Sequence, residues 1–143
     1  MKAINRAPSA GNLQAYEIYL IRKKAALRAL AAAALDQVFV AGAPLALVFC
    51  AHPARGTHRY GERGRRLYAV QDATIACTYA MLAATAPGLA TVWIGAFDDN
   101  GVLSVIGEPE GQIPVAILPI GYADETPDPT PRRALDNLIH SAG

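Results

Sequence analysis

From Leu67 to Ala86 the sequence LYAVQDATIACTYAMLAATA contains no Gly and no Pro, and is apolar on nearly every side of the helix it would form. A helix apolar all round belongs in an interior. Pro87 and Gly88 then stop it. The rest of the chain must therefore cover more than one face of this helix, or a second apolar surface must be brought to it. At 143 residues the chain has enough length for a full core, since a domain of this size buries about 68–70% of the surface its unfolded form exposes.

Composition points the same way. Apolar residues make up 52% and charged residues 17%, which is rich for a monomer and leaves apolar surface for a partner to cover. Thirteen Lys and Arg against 12 Asp and Glu leave a net charge of +1, so no general field attracts nucleic acid or an anionic membrane. Cys50 in PLALVFCA and Cys77 in ATIACTYAM sit in apolar runs, where buried, reduced thiols are expected, and with them a cytoplasmic setting. The chain opens on no apolar signal region, and no uninterrupted apolar stretch reaches the roughly 20 residues of a membrane-spanning helix.

No internal repeat or long linker divides the chain, so residues 1–143 read as one domain, with the Pro-rich, acidic 123–143 as an extended C-terminal arm. YEIYLIR, 16–22, suits a strand, and KKAALRALAAAAL, 23–35, a helix. PLALVFCA, 44–51, is continuously apolar at strand length, as in a strand covered on both faces. HPARGTHRYGERGRR, 52–66, reads as a basic irregular connection. TVWIGAF, 91–97, predicts another buried strand, followed by a short helix capped by Asp98 or Asp99 and ended by Gly107. IPVAILPIGYA, 113–123, predicts a last strand, with Pro119 placing it at an edge or a bulge. RRALDNLIH offers a final short helix. The order is β, α, β, long α, β, short α, β and tail, a sheet between helices.

Standard motifs for phosphate loops and metals are absent from this sequence. His52, His58 and His140 stand alone, and no metal site is expected. The informative segments are small-residue stretches at strand ends: Pro8 to Gln14, Trp93 to Phe97, and Gly121-Tyr122 leading to Arg132-Arg133. Together RAPSAGNLQAYEI, Gln37 before GAP, RLYAVQDATIACTYAMLAA, GLATVWIGAFDD, ILPIGYADETP and RRALDNLIH occur in the order of the FMN-dependent nitroreductase family, and the chain resembles that family from Lys2 to His140.

The resemblance implies an α+β fold: a three-layer sandwich with a central, mostly antiparallel sheet flanked by helices. It also implies a homodimer with FMN at the interface and NAD(P)H as electron donor. Pro8, Ser9 and Asn12 are then expected to line the flavin, with Gln14 holding their loop. Gln37 is placed for the pyrimidine edge, its other reading being a polar residue near a helix end. Gly95 and Ala96 match the pair whose backbone lies beside flavin N5 and O4, where an N–H favours the electron-rich reduced ring. Arg132, or Arg133, matches a phosphate-binding arginine, the alternative being a solvated helix start. Trp93 reads as strand core before substrate platform. The arginines at 55, 59, 63, 65 and 66 read as a solvated charged face before a nicotinamide-phosphate site.

One departure stands out. Members of the family carry an Arg-Arg-Ser-X-Arg segment ahead of the Pro-Ser loop that grips the phosphate, whereas this chain starts at MKAINRAPSAGN. Loss of two charge-assisted hydrogen bonds removes about 3–6 kcal/mol of gross contact energy. Three explanations compete: a start lying upstream, substitution by Arg6 with Arg132 and Arg133, or a short member that holds flavin weakly. The resulting expectation is a hydride transfer from NAD(P)H through flavin to a small electron-poor acceptor, nitroaromatic or quinone, by a ping-pong route. No catalytic side chain is assigned, since the flavin carries the chemistry. The alternative is a non-catalytic or weakly flavin-binding dimer of the same fold.

Overall fold

The computed structural model describes residues 2–142. Its centre is a pair of antiparallel strands, β2 (Leu45–Ala51) and β4 (Ile113–Gly121), flanked by β1 (Tyr16–Ile21) on one side and the two-residue β3 (Ala90–Thr91) on the other. The order is β1-β2-β4-β3, and every pairing is antiparallel. Because successive side chains point to opposite faces, the continuously apolar β2 feeds two cores. Ala46, Val48 and Cys50 meet α1 (Lys24–Ala33), α2 (Phe39–Gly42) and α5 (Asp99–Ile106) through Leu27, Leu30, Val40 and Val102. Leu47 and Phe49 meet α4 (Ala69–Thr85) through Ala76, Cys77 and Ala80. The fold class is therefore α+β, helices over both faces of one antiparallel sheet.

Pro119 lies on an inner strand and in regular register with Ala46, against the expectation of an edge or a bulge. Backbone bonds run both ways between Ile94 and Ile117, so residues of the same parity on β4 turn their backbone groups toward β3. Pro119 is two positions on, where the ladder lapses between the Thr91–Ile120 and Ile94–Ile117 pairs. Its missing N–H costs no bond there. For the same reason 91–97 is not the continuous strand expected: it reduces to the end of β3 and the Ile94 bridge. A bulge at Val115 shifts the β2–β4 register between Phe49 and Cys50.

The basic stretch after β2 is helical, not irregular. Pro53 opens α3 (Pro53–Arg63), and Gly61, at φ 56° and ψ −144°, reverses the chain within it. A π-turn, Gly64–Tyr68, then leads into α4. The two limbs cross at bare backbone: a Cβ on Gly56 would come within 2.6 Å of the Gly64 carbonyl oxygen. Glycines hide this helix in the sequence, since they read as breakers although here they permit the crossing. Within one chain α4 is buried on one side only. Ala69, Asp72, Ala73, Ala76, Cys77, Ala80 and Ala84 face inward, whereas Leu82 is 67% exposed.

Gly107 ends α5 in the left-handed region, and Asp98 caps its start through Oδ2, which accepts from the Gly101 N–H at 2.7 Å. After β4 the chain from Tyr122 to Ala142 is exposed, with one 3₁₀ turn at Leu135–Asn137. Among the described residues no helix is long and apolar enough to cross a membrane.

Burial pushes both thiols up, to about 12, with Glu17 adding to the effect at Cys50. Neither forms appreciable thiolate at pH 8. A maleimide reagent is expected to leave Cys50 and Cys77 unmodified in the native protein and to label both in denaturant, read by intact mass.

Candidate functional site

The opening loop is a constrained piece of backbone. Ile4 and Ala7 are buried against α4 and fasten its near end. Beyond exposed Pro8, the backbone enters left-handed conformations at Gly11 (φ 56°), Asn12 (φ 59°) and Gln14 (φ 49°). Such conformations cost about 1–3 kcal/mol each for residues other than Gly and persist only where surroundings impose them. Ser9 contributes twice: its carbonyl accepts the Asn12 N–H at 3.0 Å, and its Oγ accepts the Gln14 N–H at 3.0 Å. The Gln14 side chain donates to the Asn12 carbonyl at 3.2 Å, which is the loop-holding role expected of it.

Two helices grip this loop from outside. On α3, Arg55 Nη1 donates to the carbonyls of Gln14 (3.0 Å) and Tyr16 (3.2 Å), and its Nη2 pairs with Glu17. Arg59 reaches the Gly11 carbonyl at 3.4 Å. The Tyr60 hydroxyl lies where a Cβ on Gly11 would need to stand. From α4, Asp72 bridges the loop: Oδ1 accepts the Ala10 N–H at 2.9 Å and Oδ2 the Ala15 N–H at 3.2 Å. Only 2% exposed, Asp72 is the buried charged residue of the described chain. It escaped notice in the sequence, although a lone carboxylate inside an otherwise apolar helix is a readable signal.

A second group forms at the other edge of the sheet. After the Ile94 bridge, Gly95 and Ala96 are exposed, and among the described residues neither N–H meets an intrachain acceptor. The segment is then fixed by the Asp98 N–H, which donates to the Ala33 carbonyl at 2.8 Å. The next carbonyl of α1, that of Ala34, accepts from Gln37 Nε2 at 2.9 Å. Gln37 and the Gly95-Ala96 pair are thus anchored on neighbouring carbonyls at one helix end. Trp93 packs into the α4-side core.

Pro8, Ser9 and Asn12 precede the edge strand β1, whereas Gly95 and Ala96 flank the opposite edge, three strand spacings or about 14 Å away. Within one chain the two groups do not meet. Arg132 and Arg133 form a third group on the exposed arm: Arg132 donates to the Thr130 and Pro131 carbonyls at 3.1 and 3.2 Å, and Arg133 to the Asn137 carbonyl at 2.5 Å. Two surface concavities, of about 760 and 770 Å³, are lined by none of these eight residues. What the chain presents is two separate, outward-facing groups.

The other arginines of the 52–66 stretch are engaged locally. Glu62 pairs with Arg65 (3.7 Å) and Arg66 (3.0 Å), Arg59 lies over Tyr60, and Arg63 lies over Tyr68. Burial, with Asp72 nearby, raises the Tyr16 hydroxyl above its ordinary range. Among the described residues no group of three His, Cys, Asp or Glu is placed to hold a metal ion.

Comparison with known proteins gives a consistent set. The model of the nitroreductase family matches residues 1–54 and 35–122. A protein of Thermus thermophilus named NADH dehydrogenase is 30% identical, over 97% of this chain and 81% of its own length. Among solved structures, the NADPH:FMN oxidoreductase of Vibrio harveyi complexed with NAD+ superposes with a TM-score of 0.87 at 26% identity, covering 98% of this chain and 64% of that one. Nitroreductase A of Vibrio parahaemolyticus superposes at 0.87 with 25% identity, covering 98% and 63%. The chain therefore spans less than two thirds of the length of these two structures.

Gly11→Ala combines a left-handed backbone with a clash against the Tyr60 hydroxyl, and is expected to cost about 1–2 kcal/mol in urea unfolding. Gly42→Ala meets open space on α2 and should be neutral or slightly stabilising. Equal costs at the two positions would contradict the described loop conformation.

Proposed function

The chain belongs to the nitroreductase family, and on that premise we propose that it is an FMN-dependent oxidoreductase drawing electrons from NAD(P)H and passing them to a small electron-poor acceptor, of nitroaromatic or quinone type. The observation that carries this reading is the pair of half-sites at opposite sheet edges. A two-fold dimer brings the loop of one protomer to the Gly95-Ala96 segment of its partner. The incompletely covered outer side of α4, with Leu82 exposed, offers apolar surface for such a contact. In this proposal residues 1–143 are one domain with 123–143 as its arm, the partner is a second copy, and the compartment is the cytoplasm.

The residues present fit a flavin. The unpaired N–H groups of Gly95 and Ala96 are adjacent donors on small residues, so a planar ring can approach their backbone. Asn12, exposed at the loop tip, offers amide donors and an acceptor. Pro8 and Ser9 supply a rigid, small-residue surface beside it. Gln37 has its nitrogen committed to Ala34, so its Oε1 is the atom offered to a ring N–H. Arg132 and Arg133 would meet the phosphate by exchanging their arm contacts for it. When bound, FMN supplies the two-electron chemistry, accepting a hydride from the nicotinamide and giving it to the acceptor. The protein's part is to bind and orient that ring, to offer hydrogen bonds that stabilise its reduced form, and to admit donor and acceptor in turn to one exposed face.

A second reading, a dimer of the same fold that holds flavin weakly or takes no part in catalysis, is favoured by one observation: both arm guanidiniums are engaged within the arm and touch neither half-site. The visible absorption spectrum after addition of FMN and desalting separates the two. Retention of about one flavin per subunit supports the enzyme, and a colourless product supports the second reading. For the enzyme, double-reciprocal plots at varied donor and acceptor are expected to be parallel. Intersecting lines would count against alternate occupation of one face.

Replacing Arg132 and Arg133 together by Ala removes charge-assisted bonds worth about 1.5–3 kcal/mol each. FMN affinity, followed by flavin fluorescence, is expected to fall at least tenfold while the apo fold is unchanged. An unaltered affinity would take both residues out of the site.

A further inference from the structure

We propose that Asp72 is the positioning residue of the flavin site: its buried carboxylate shapes the Pro8–Gln14 loop before any ligand arrives, and thereby sets how tightly the ligand is held. The proposal rests on the flavin-binding reading above and adds to it a residue that contacts no ligand.

The geometry is specific. The Asp72 side chain is 2% exposed and lies on a helix whose other inward residues are Ala and Cys. A carboxylate in such surroundings is unfavourable unless each oxygen is satisfied. Here one oxygen takes the Ala10 N–H and the other the Ala15 N–H, the two flanks of the segment that holds the left-handed Gly11, Asn12 and Gln14. Ala15 is itself 1% exposed, so its N–H has no access to water. Within the segment the Asn12, Leu13 and Gln14 N–H groups are met by Ser9 and Ala10, so Asp72 satisfies its two ends. The loop's outer surface, with Pro8 and Asn12, remains free for a ligand.

A role confined to general stability predicts that any comparable destabilisation acts alike, whereas positioning predicts a local effect. Asp72→Asn keeps the shape but turns an NH₂ toward one of the two backbone N–H groups, donor against donor. Leu27→Ala, in the core on the opposite face of the sheet, is the control, compared in conditions where both variants are folded. Two readouts are taken: amide hydrogen exchange of residues 9–15 in the apo protein, and FMN dissociation constant by fluorescence titration. For Asp72→Asn, loop exchange is expected to rise at least tenfold and FMN to bind at least tenfold more weakly, with Leu27→Ala leaving both at wild-type values. Unchanged loop exchange in Asp72→Asn overturns the proposal, as does a loosened loop with unchanged FMN affinity, or equal effects in the control. If the wild-type protein takes up no FMN, the flavin reading fails on its own, and the exchange data still decide whether Asp72 shapes the loop. Should Asp72→Asn not fold, Asp72→Ser, smaller and keeping one acceptor, is measured in the same way.

Discussion

The β2–β4 pair imposes the architecture. Both strands are buried on both faces along most of their length, so neither face can be left to water and each requires its own helical cover. That demand recruits α1, α2 and α5 to one face and α4 to the other. It also sends the two narrower strands, β1 and β3, to the sheet edges. The segments of the proposed site enter and leave at those edges, where backbone is no longer consumed by sheet pairing. The loop ahead of β1 and the Gly95-Ala96 segment after β3 are therefore parted by the same central strands that hold the protein together.

This separation accounts for the outward-facing character of both half-sites. A closed pocket within one chain would need one of them to cross the sheet. In the proposed dimer a second copy gives that juxtaposition without altering the core, and the apolar richness of the composition suits a surface covered on assembly. The loop can afford its unusual backbone because it is overdetermined: Arg55 and Arg59 from α3, Asp72 from α4 and its own Ser9 all bear on it. A surface shaped before its ligand arrives loses less conformational freedom on binding.

Strand β2 and helix α1 are legible in the sequence because each is decided by local pattern: a continuous apolar run in one, a block of strong helix formers in the other. Asp98 and Gly107 announce α5 by capping chemistry alone. The failures share a different cause. Helix α3 is masked by glycines whose purpose is a backbone crossing between segments, which no local rule registers. Pro119 misleads because its tolerance depends on a gap in a neighbouring strand, and β3 falls short of its apolar pattern because the ladder lapses beside it. Of the candidate site, the small-residue loops are visible as composition, whereas Asp72 becomes meaningful only once the chain has brought position 72 to positions 10 and 15. Long-range backbone partners are the part of a site that a linear pattern carries least.

The π-turn at Gly64–Tyr68 acts as a phase adjuster. Gly64 must lie against Gly56, and Asp72, eight positions later, must face the loop that the same helix α3 clasps. Eight steps of regular helix rotate by about 800°, overshooting two turns by about 80°, whereas absorbing one extra residue in a wide turn brings the rotation to about 700° and returns both positions to nearly one side. Side-chain identity at Arg65 and Arg66 is thus of secondary weight beside the width of the turn, for both point to solvent and can vary. Forcing those eight steps into regular helix would swing Asp72 by roughly a quarter-turn and leave the loop's two buried flanks facing alanine, whereas deleting one residue leaves seven regular steps, again about 700°, and keeps its facing.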